Sequence, residues 1–196
     1  ASLDDKKQIT RVPIDPAYPV NTAWDLGYND QTAIIFFQQI GHNIHIVDYY
    51  ENKNEAFPHY AQVLKEKDYI IEHNYGPHDL DQTEFGTGKT RRETAYQMGL
   101  RFRVVPRMAI EDGIHAVKMV LPRCFIDVDN CGPLVNALRH YHRKFSDKER
   151  VYKIKPVHDW SSHAADAMRT LATGLNEIKF NNKVRQTNVD TNYKVL

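Results

Sequence analysis

The sequence is short of cysteine, of net charge and of long apolar runs. Its 196 residues carry 26 Lys and Arg against 25 Asp and Glu, a formal net charge of +1. No apolar run approaches the roughly 18 residues that span a membrane, and the charged opening has no signal-peptide pattern. Cys124 and Cys131 are too few for a disulfide framework, so a reduced cytosolic setting is expected.

Three kinds of binding are disfavoured by what is missing. A chain that grips nucleic acid unaided is usually more basic, because neutralising phosphates and releasing counterions dominates affinity. No Cys-x₂-Cys or His-x₃-His spacing occurs, so we expect no structural zinc. Residues 85–90 (FGTGKT) resemble a nucleotide-binding loop, but Thr83 stands where that loop needs its first glycine. We interpret them as a flexible Gly-rich loop, and we predict that Lys89, Arg91 and Arg92 contact DNA phosphate.

The hydrophobic pattern predicts one α/β domain. Apolar and β-branched runs at residues 22–27, 32–38 and 44–50 predict an antiparallel meander, with a turn at 41–43. Helical patterns then alternate with short strands, which gives a mixed central sheet flanked by helices. Residues 1–20 are predicted to be an extended lead-in, 21–175 the domain and 176–196 a flexible polar tail. The chain starts at Ala1 rather than Met, which suggests a fragment of a longer protein.

Two acids are predicted at strand ends. Asp25 shares one face of the first long strand with Ala23 and Gly27, away from Trp24, and a buried carboxylate needs a partner or a cation. An edge position facing water, or a local turn, would also explain it. Asp79 follows the apolar strand that ends at residues 76–77, where α/β proteins often place ligand-binding groups. An ordinary turn would explain Asp79 equally, and spacing does not exclude Asp81 in its place.

The last helix carries a third acid. His163 and Asp166 lie three residues apart on one face, beside an apolar stripe, although a solvated intrahelical pair would look the same. We expect Ser161 or Ser162 to cap this helix at its start and Gly174 to lie just past its end. Hydrolysis of a phosphodiester by two Mg²⁺ or Mn²⁺ ions requires a carboxylate cluster of hard oxygen ligands. The three acids would meet that requirement if their elements converge.

Three strings resemble the nuclease domain of the large terminase subunit of tailed bacteriophages, a branch of the RNase H-like superfamily. They are residues 24–33 (WDLGYNDQTA), 76–79 (GPHD) and 163–169 (HAADAMR). Segments 86–105 and 112–117 are also similar, and the likeness covers about residues 20–175. It implies Asp25, Asp79 and Asp166 as catalytic, metal-binding acids, with His163 as an auxiliary ligand and Asp30 as a secondary carboxylate.

The resemblance also implies a setting. It predicts endonucleolytic cutting of double-stranded viral DNA concatemers during genome packaging, with two Mg²⁺ or Mn²⁺ ions as cofactors. The expected partners are an ATPase motor domain in the same full-length chain, a small terminase subunit and the portal protein, without a membrane. The expected location is the host cytoplasm during assembly, not the mature virion. Two alternatives stay open: a junction resolvase or integrase with the same acids, and an inactive docking module that binds no metal.

Overall fold

The computed structural model describes residues 7–27, 31–146 and 150–175 of the chain. Asp30, predicted as a secondary carboxylate, and the predicted tail at 176–196 lie outside the described residues. A central sheet has seven strands: β1 (Ile9–Thr10), β2 (Val20–Asp25), β3 (Gln31–Ile40), β4 (Asn43–Lys53), β5 (Ile71–Gly76), β6 (Phe102–Val104) and β7 (Cys124–Asp127). A separate hairpin is formed by β8 (Arg143–Ser146) and β9 (Val151–Pro156).

The sheet is mixed, as the sequence predicted. Its order is β1-β7-β4-β3-β2-β5-β6. Strands β2, β3 and β4 form the antiparallel meander, whereas β5, β6, β7 and β1 join in parallel pairs. Because β2 lies between β3 and β5, Asp25 is on a central strand, so the alternative of an edge position for it is wrong.

Helices cover both faces of the sheet. They are α1 (Phe57–Glu66), α2 (Arg91–Gln97), α3 (Ile110–Val120), α4 (Gly132–His140) and α5 (162–175). Alternation along β2 assigns the two cores: Ala23 joins the cluster that contains Met168 of α5, while Trp24 packs with Tyr60 of α1 on the other face. Asp25, two residues after Ala23, therefore belongs to the face that α5 covers.

The strand register brings acidic residues to one end of the central strands. Asp25 pairs across with Ala33, and Ala33 pairs in turn with Glu51 of β4. Strand β5 runs parallel to β2, so its carboxyl end at Gly76 lies at the same end of the sheet. A Cβ on Gly76 would collide with Leu80, which is fully buried. Glycine there lets the chain fold back into a 3-10 turn that carries Asp79.

Three local expectations differ from the structure. The predicted lead-in supplies β1, which pairs in parallel with β7. Gly174 lies inside α5 and not past its end; a Cβ there would stand 2.6 Å from Cδ1 of Tyr75, so this glycine permits a close approach of helix and sheet. Ser161 does precede α5, but its hydroxyl and that of Ser162 donate to Asp159 and do not cap the helix. No helix in the described ranges could cross a membrane.

Candidate active site

Asp25 and His163 meet at the junction of β2 and α5. Nδ1 of His163 lies 3.0 Å from Oδ2 of Asp25. A carboxylate only accepts hydrogen bonds when ionised, so the Nδ1–H group donates and fixes the imidazole orientation. The two side chains are 10% and 20% exposed, which makes this a largely desolvated pair that still opens to solvent on one side. The pairing joins the first and last elements predicted to carry catalytic acids.

Asp166 stands beside this pair and has its own cationic partner. It forms an i,i+3 ion pair with Arg169, one turn further along α5. The aliphatic part of Arg169 passes Gly113 of α3, where a Cβ would lie 2.9 Å from its Cδ. Gly113 thus leaves space for the arginine to reach the acid. The alternative of a solvated His163–Asp166 pair does not fit the structure, because His163 is buried against Asp25 and Asp166 is mostly buried beside Arg169.

Asp25 and Asp166 are half-buried, and this burial disfavours the ionised form of each carboxyl group. Burial raises the pKa of Asp25 above its ordinary value; the hydrogen bond from His163 opposes the shift, and the negative charge of Asp166 adds to it. Burial likewise raises the pKa of Asp166, and Arg169 opposes that shift. Two nearby acids with raised pKa values are typical of sites that act on protons or bind cations. A cation between them would favour the ionised form of both.

Two tyrosines and one acid near the pair were not singled out from the sequence. Burial raises the pKa of Tyr49 above its ordinary range, and its hydroxyl donates to Glu51 at 2.6 Å. The charge of Asp25 contributes to that shift, which places it near the same hydroxyl. Burial also raises the pKa of Tyr141, with Asp166 as the second cause. Alternation along β4 puts Tyr49 and Glu51 on one face, but this local pattern does not show that Glu51 lies beside Asp25.

Asp79 lies apart from Asp25, His163 and Asp166. It sits on the 3-10 turn His78–Asp81, with its side chain 45% exposed, 3.0 Å from Nε2 of His78. Gln82 donates to its Oδ1 at 3.1 Å. Among the described residues, Asp79 does not form with Asp25 and Asp166 a group of three side chains close enough to hold a metal ion. Its rival Asp81 pairs with Arg92 at 3.0 Å. Asp79 lies at the same end of the sheet as Asp25, but it is on a solvent-exposed turn.

The predicted DNA-contacting cations surround an ordered Gly-rich loop. Its base is closed by a bridge between Thr83 and Thr90, and Thr90 forms a capping box with Glu93 at the start of α2. Arg91 is paired with Glu84 at 3.4 Å, and Arg92 with Asp81. Lys89 is exposed and has no acidic partner among residues 7–27, 31–146 and 150–175. Of the three predicted contacts, Lys89 therefore has the least compensated charge.

The donor set fits a hard divalent cation in its chemistry. Asp25 and Asp166 offer carboxylate oxygens, the ligands that Mg²⁺ and Mn²⁺ prefer, in a desolvated corner where a cation would offset their charge. Within the described residues, however, no three His, Cys, Asp or Glu side chains stand close enough together to hold a metal ion. The arrangement is thus a preformed carboxylate pair with Asp79 outside it.

Comparison with curated proteins finds similarity to a phage protein. The large terminase subunit of Escherichia phage T5 is 24% identical to the chain over 161 residues, which are 79% of the chain and 35% of that relative. The chain thus spans about a third of the length of the curated relative it matches. No family model matches the sequence.

Solved structures share the fold. A large terminase from a thermophilic bacteriophage superposes with a TM-score of 0.65 at 16% identity, covering 88% of this chain and 43% of that one. The P22 large terminase nuclease domain gives 0.63 at 18% identity, covering 87% and 89%. The SPP1 large terminase nuclease domain with bound Mn gives 0.54 at 14% identity, covering 78% and 84%. The predicted resemblance to large-terminase nuclease domains, and the RNase H-like fold that it implies, are confirmed.

Proposed function

Because the chain has the fold of large-terminase nuclease domains, we propose that it is a metal-dependent endonuclease that cuts concatemeric double-stranded viral DNA during genome packaging. The observation that carries the proposal is the pair of half-buried acids Asp25 and Asp166, which the carboxyl end of β2 and the first turns of α5 bring close together. Burying two acids without full compensation costs stability, and a cation-dependent reaction on a phosphate gives that cost a purpose.

The proposed metal ligands are Asp25, Asp79 and Asp166, with His163 in an auxiliary role. Asp25 would be shared by two ions, Asp79 would hold one of them, and Asp166 with His163 the other. Bound Mg²⁺ or Mn²⁺ would supply an activated water and charge stabilisation at the phosphate oxygens. A manganese ion is present in the SPP1 nuclease domain, which is similar in fold.

The chain's own residues prepare the site. His163 donates to one oxygen of Asp25 and leaves the other oxygen of that carboxylate for a cation. Arg169 holds one oxygen of Asp166 and offsets its charge. The turn that carries Asp79 is held by contacts of Asp79 with Gln82 and His78. It lies at the end of the sheet where a DNA backbone would approach. Lys89, with Arg91 and Arg92, would contact phosphates there.

The proposed setting is a packaging machine in the host cytoplasm. An ATPase motor domain of the same full-length chain, a small terminase subunit and the portal protein would share the task of gripping DNA. That division of labour agrees with the formal net charge of +1. Base sequence is read by side chains that contact base edges in the grooves. Nothing in the sequence resembles a helix that reads a groove in this way, so we expect weak sequence preference.

The separation of Asp79 from the pair favours a second candidate, an inactive docking module with the same fold. Calorimetric titration of the chain with Mn²⁺ distinguishes the two. The nuclease predicts heat of binding that disappears in Asp25→Asn, together with nicking of a supercoiled plasmid in Mn²⁺ and none in EDTA. Absence of both binding and nicking would favour the docking module. In the same assay, Asp79→Asn should lose activity and Asp81→Asn should keep most of it, because Asp81 is engaged with Arg92.

A further inference from the structure

One exposed aromatic side chain stands immediately before the helix that carries the acid pair. Trp160 is 51% exposed and lies two residues before the first residue of α5. Its ring contacts His140 at the end of α4, with the ring centroids 5.3 Å apart and the planes at 52°. Its indole N–H makes no hydrogen bond within the described part of the chain. A large apolar ring with an unused donor is therefore presented to solvent beside the site.

The segment that carries Trp160 is held in place. Asp159 accepts from the backbone amide of Ser161 at 2.9 Å and from its hydroxyl at 2.6 Å. Ser162 donates to the carbonyl of Asp159, and its hydroxyl lies 3.1 Å from Nδ1 of His158. These contacts fix the backbone on both sides of Trp160. The exposure of its ring is thus a built feature and not a consequence of a loose loop.

Basic side chains outnumber acids beside Trp160, where the neighbouring acid is Asp159. Residues 130–146 contain no acid, although the whole chain is nearly neutral. Five exposed basic side chains occur in that span: Arg139, His140, His142, Arg143 and Lys144. The Nδ1 atoms of His140 and His142 lie 2.8 and 2.6 Å from backbone carbonyls, which only accept, so each Nδ1 carries a proton and each Nε2 is the outer nitrogen.

This basic surface is continuous with the proposed active site. The ring of His158, which precedes Trp160 by two residues, lies 5.8 Å from the ring of His163. His163 in turn donates to Asp25. A ligand lying across Trp160 and His140 would therefore lie close to the residues that hold Asp25. The charges of Arg139, Arg143 and Lys144 favour a polyanion, and the exposed indole ring beside His140 suits contact with a sugar while the cations contact phosphates.

We infer that Trp160, His140 and the basic residues 139–144 form a DNA-binding surface that holds the sugar-phosphate backbone of duplex DNA next to the scissile phosphate. The inference rests on the proposed nuclease function and adds to it the surface that positions the substrate. Trp160 packs against deoxyribose and donates its N–H to a phosphate oxygen. It is a positioning residue, since it contacts the substrate away from the reacting atoms.

The chain provides its own reporter for this surface. It has two tryptophans, and Trp24 is fully buried whereas Trp160 is exposed. Iodide should therefore quench Trp160 selectively. Titration of the chain with a short blunt DNA duplex in EDTA, where no cutting occurs, should change the Trp160 emission and protect it from iodide. In Trp160→Phe the remaining emission, from Trp24, should not respond to DNA.

Binding measured by fluorescence anisotropy of a labelled duplex completes the test. Trp160→Ala should bind roughly tenfold more weakly, the loss typical of an aromatic anchor, while Trp160→Phe keeps part of the affinity. Ile70→Ala is the matched control, because Ile70 is 81% exposed and lies just before β5, at the end of that strand opposite Asp79. Weak cutting by Trp160→Ala in Mn²⁺ should recover at saturating DNA, because the chemistry is untouched.

Two results would overturn the inference, and they differ. If the wild type binds and nicks DNA while Trp160 emission is unchanged and Trp160→Ala binds normally, the surface lies elsewhere and the nuclease function stands. If the wild type neither binds nor nicks DNA, the proposed function fails and this surface belongs to a protein partner. The buried Trp24 emission and the thermal unfolding of each variant report whether it is folded.

Discussion

His163 and Asp25 lie 138 residues apart in the sequence, yet Nδ1 of the histidine is 3.0 Å from Oδ2 of the acid. The contact depends on the face of β2 that Ala23 and Asp25 share and on the placement of α5 over that face. It converts two separate sequence strings into one site. Most of the functional account depends on this contact, and it can be tested at each of its parts.

The first prediction concerns His163 itself. His163→Ala should lower cleavage by about 10- to 100-fold, the usual effect of removing a group that orients a metal-binding carboxylate. The fold should persist, because Asp25 can be solvated from its open side. Plasmid nicking rates in Mn²⁺ measure the effect. His42 is in the turn between β3 and β4, at the opposite end of the sheet, so His42→Ala should nick like wild type. Equal rates for the two variants would remove His163 from the site.

The raised pKa of Asp25 predicts a stability effect in metal-free protein. Because burial raises the folded-state pKa above the ordinary value of 3.8, the contribution of Asp25 favours folding below that value. The contribution is lost as pH rises through the folded-state pKa, so at pH 7 the ionised group destabilises the fold. Asp25→Asn in EDTA should therefore unfold at a higher temperature than wild type near neutrality, and the gap should narrow in acid.

Thermal unfolding at several pH values checks this sign. Asp129→Asn is the control, since Asp129 is exposed and, among the described residues, forms an ion pair with Arg11 alone. Removing that pair should change stability by less than about 1 kcal/mol at any pH. If Asp25→Asn were the less stable protein at neutral pH, the hydrogen bond with His163 would outweigh the cost of burial.

Gly174 gives a test of the packing that holds α5 on the sheet. Alanine is favoured over glycine inside a helix by about 1 kcal/mol. Here the added Cβ would stand 2.6 Å from Cδ1 of the Tyr75 ring, which is buried and cannot move aside cheaply. Overpacking of this kind costs about 1–3 kcal/mol, so Gly174→Ala should lower the unfolding temperature. Gly132→Ala, where nothing lies within 4 Å of the new Cβ, should be neutral or slightly stabilising.

The Gly-rich loop predicts unequal roles for its three cations. Lys89→Ala should reduce the slope of log affinity against log salt by about one, the effect of losing one phosphate contact. Arg92→Ala should change the slope less, since Arg92 already pairs with Asp81 at 3.0 Å. Anisotropy titrations of labelled duplex DNA between low and physiological salt give both slopes. Identical slopes for wild type and Lys89→Ala would exclude the loop from the DNA path.

The sequence predicted which face of its strand or helix each site residue occupies, but not which side chain it contacts. Alternation along β2 placed Asp25 on the face opposite Trp24, and helical spacing placed His163 and Asp166 side by side. It did not show that His163 would turn to Asp25 and Asp166 to Arg169, because those choices depend on how closely α5 approaches β2 and α3. The close approaches were made possible by Gly113 and Gly174, and one of these was interpreted as a helix end.

Other features could not be predicted from local sequence patterns because they depend on segments distant in the sequence. Strand β1 has two residues, too few for any periodicity, and exists only because β7 offers it a parallel edge. Glu51 lies at the same end of the sheet as Asp25 because of the register of β2, β3 and β4, which no single segment encodes. The predicted convergence of three acids depended on Asp79, whose turn is exposed and tied to its own neighbours, His78 and Gln82.

The most direct test is plasmid cleavage by the chain with Mg²⁺, with Mn²⁺ and with EDTA, beside the variant Asp166→Asn and the control Asp129→Asn. Wild type and the control should cut in a divalent metal and not in EDTA, and Asp166→Asn should not cut at all. Full cutting by Asp166→Asn, or cutting in EDTA, would contradict a metal-dependent site built on Asp25 and Asp166.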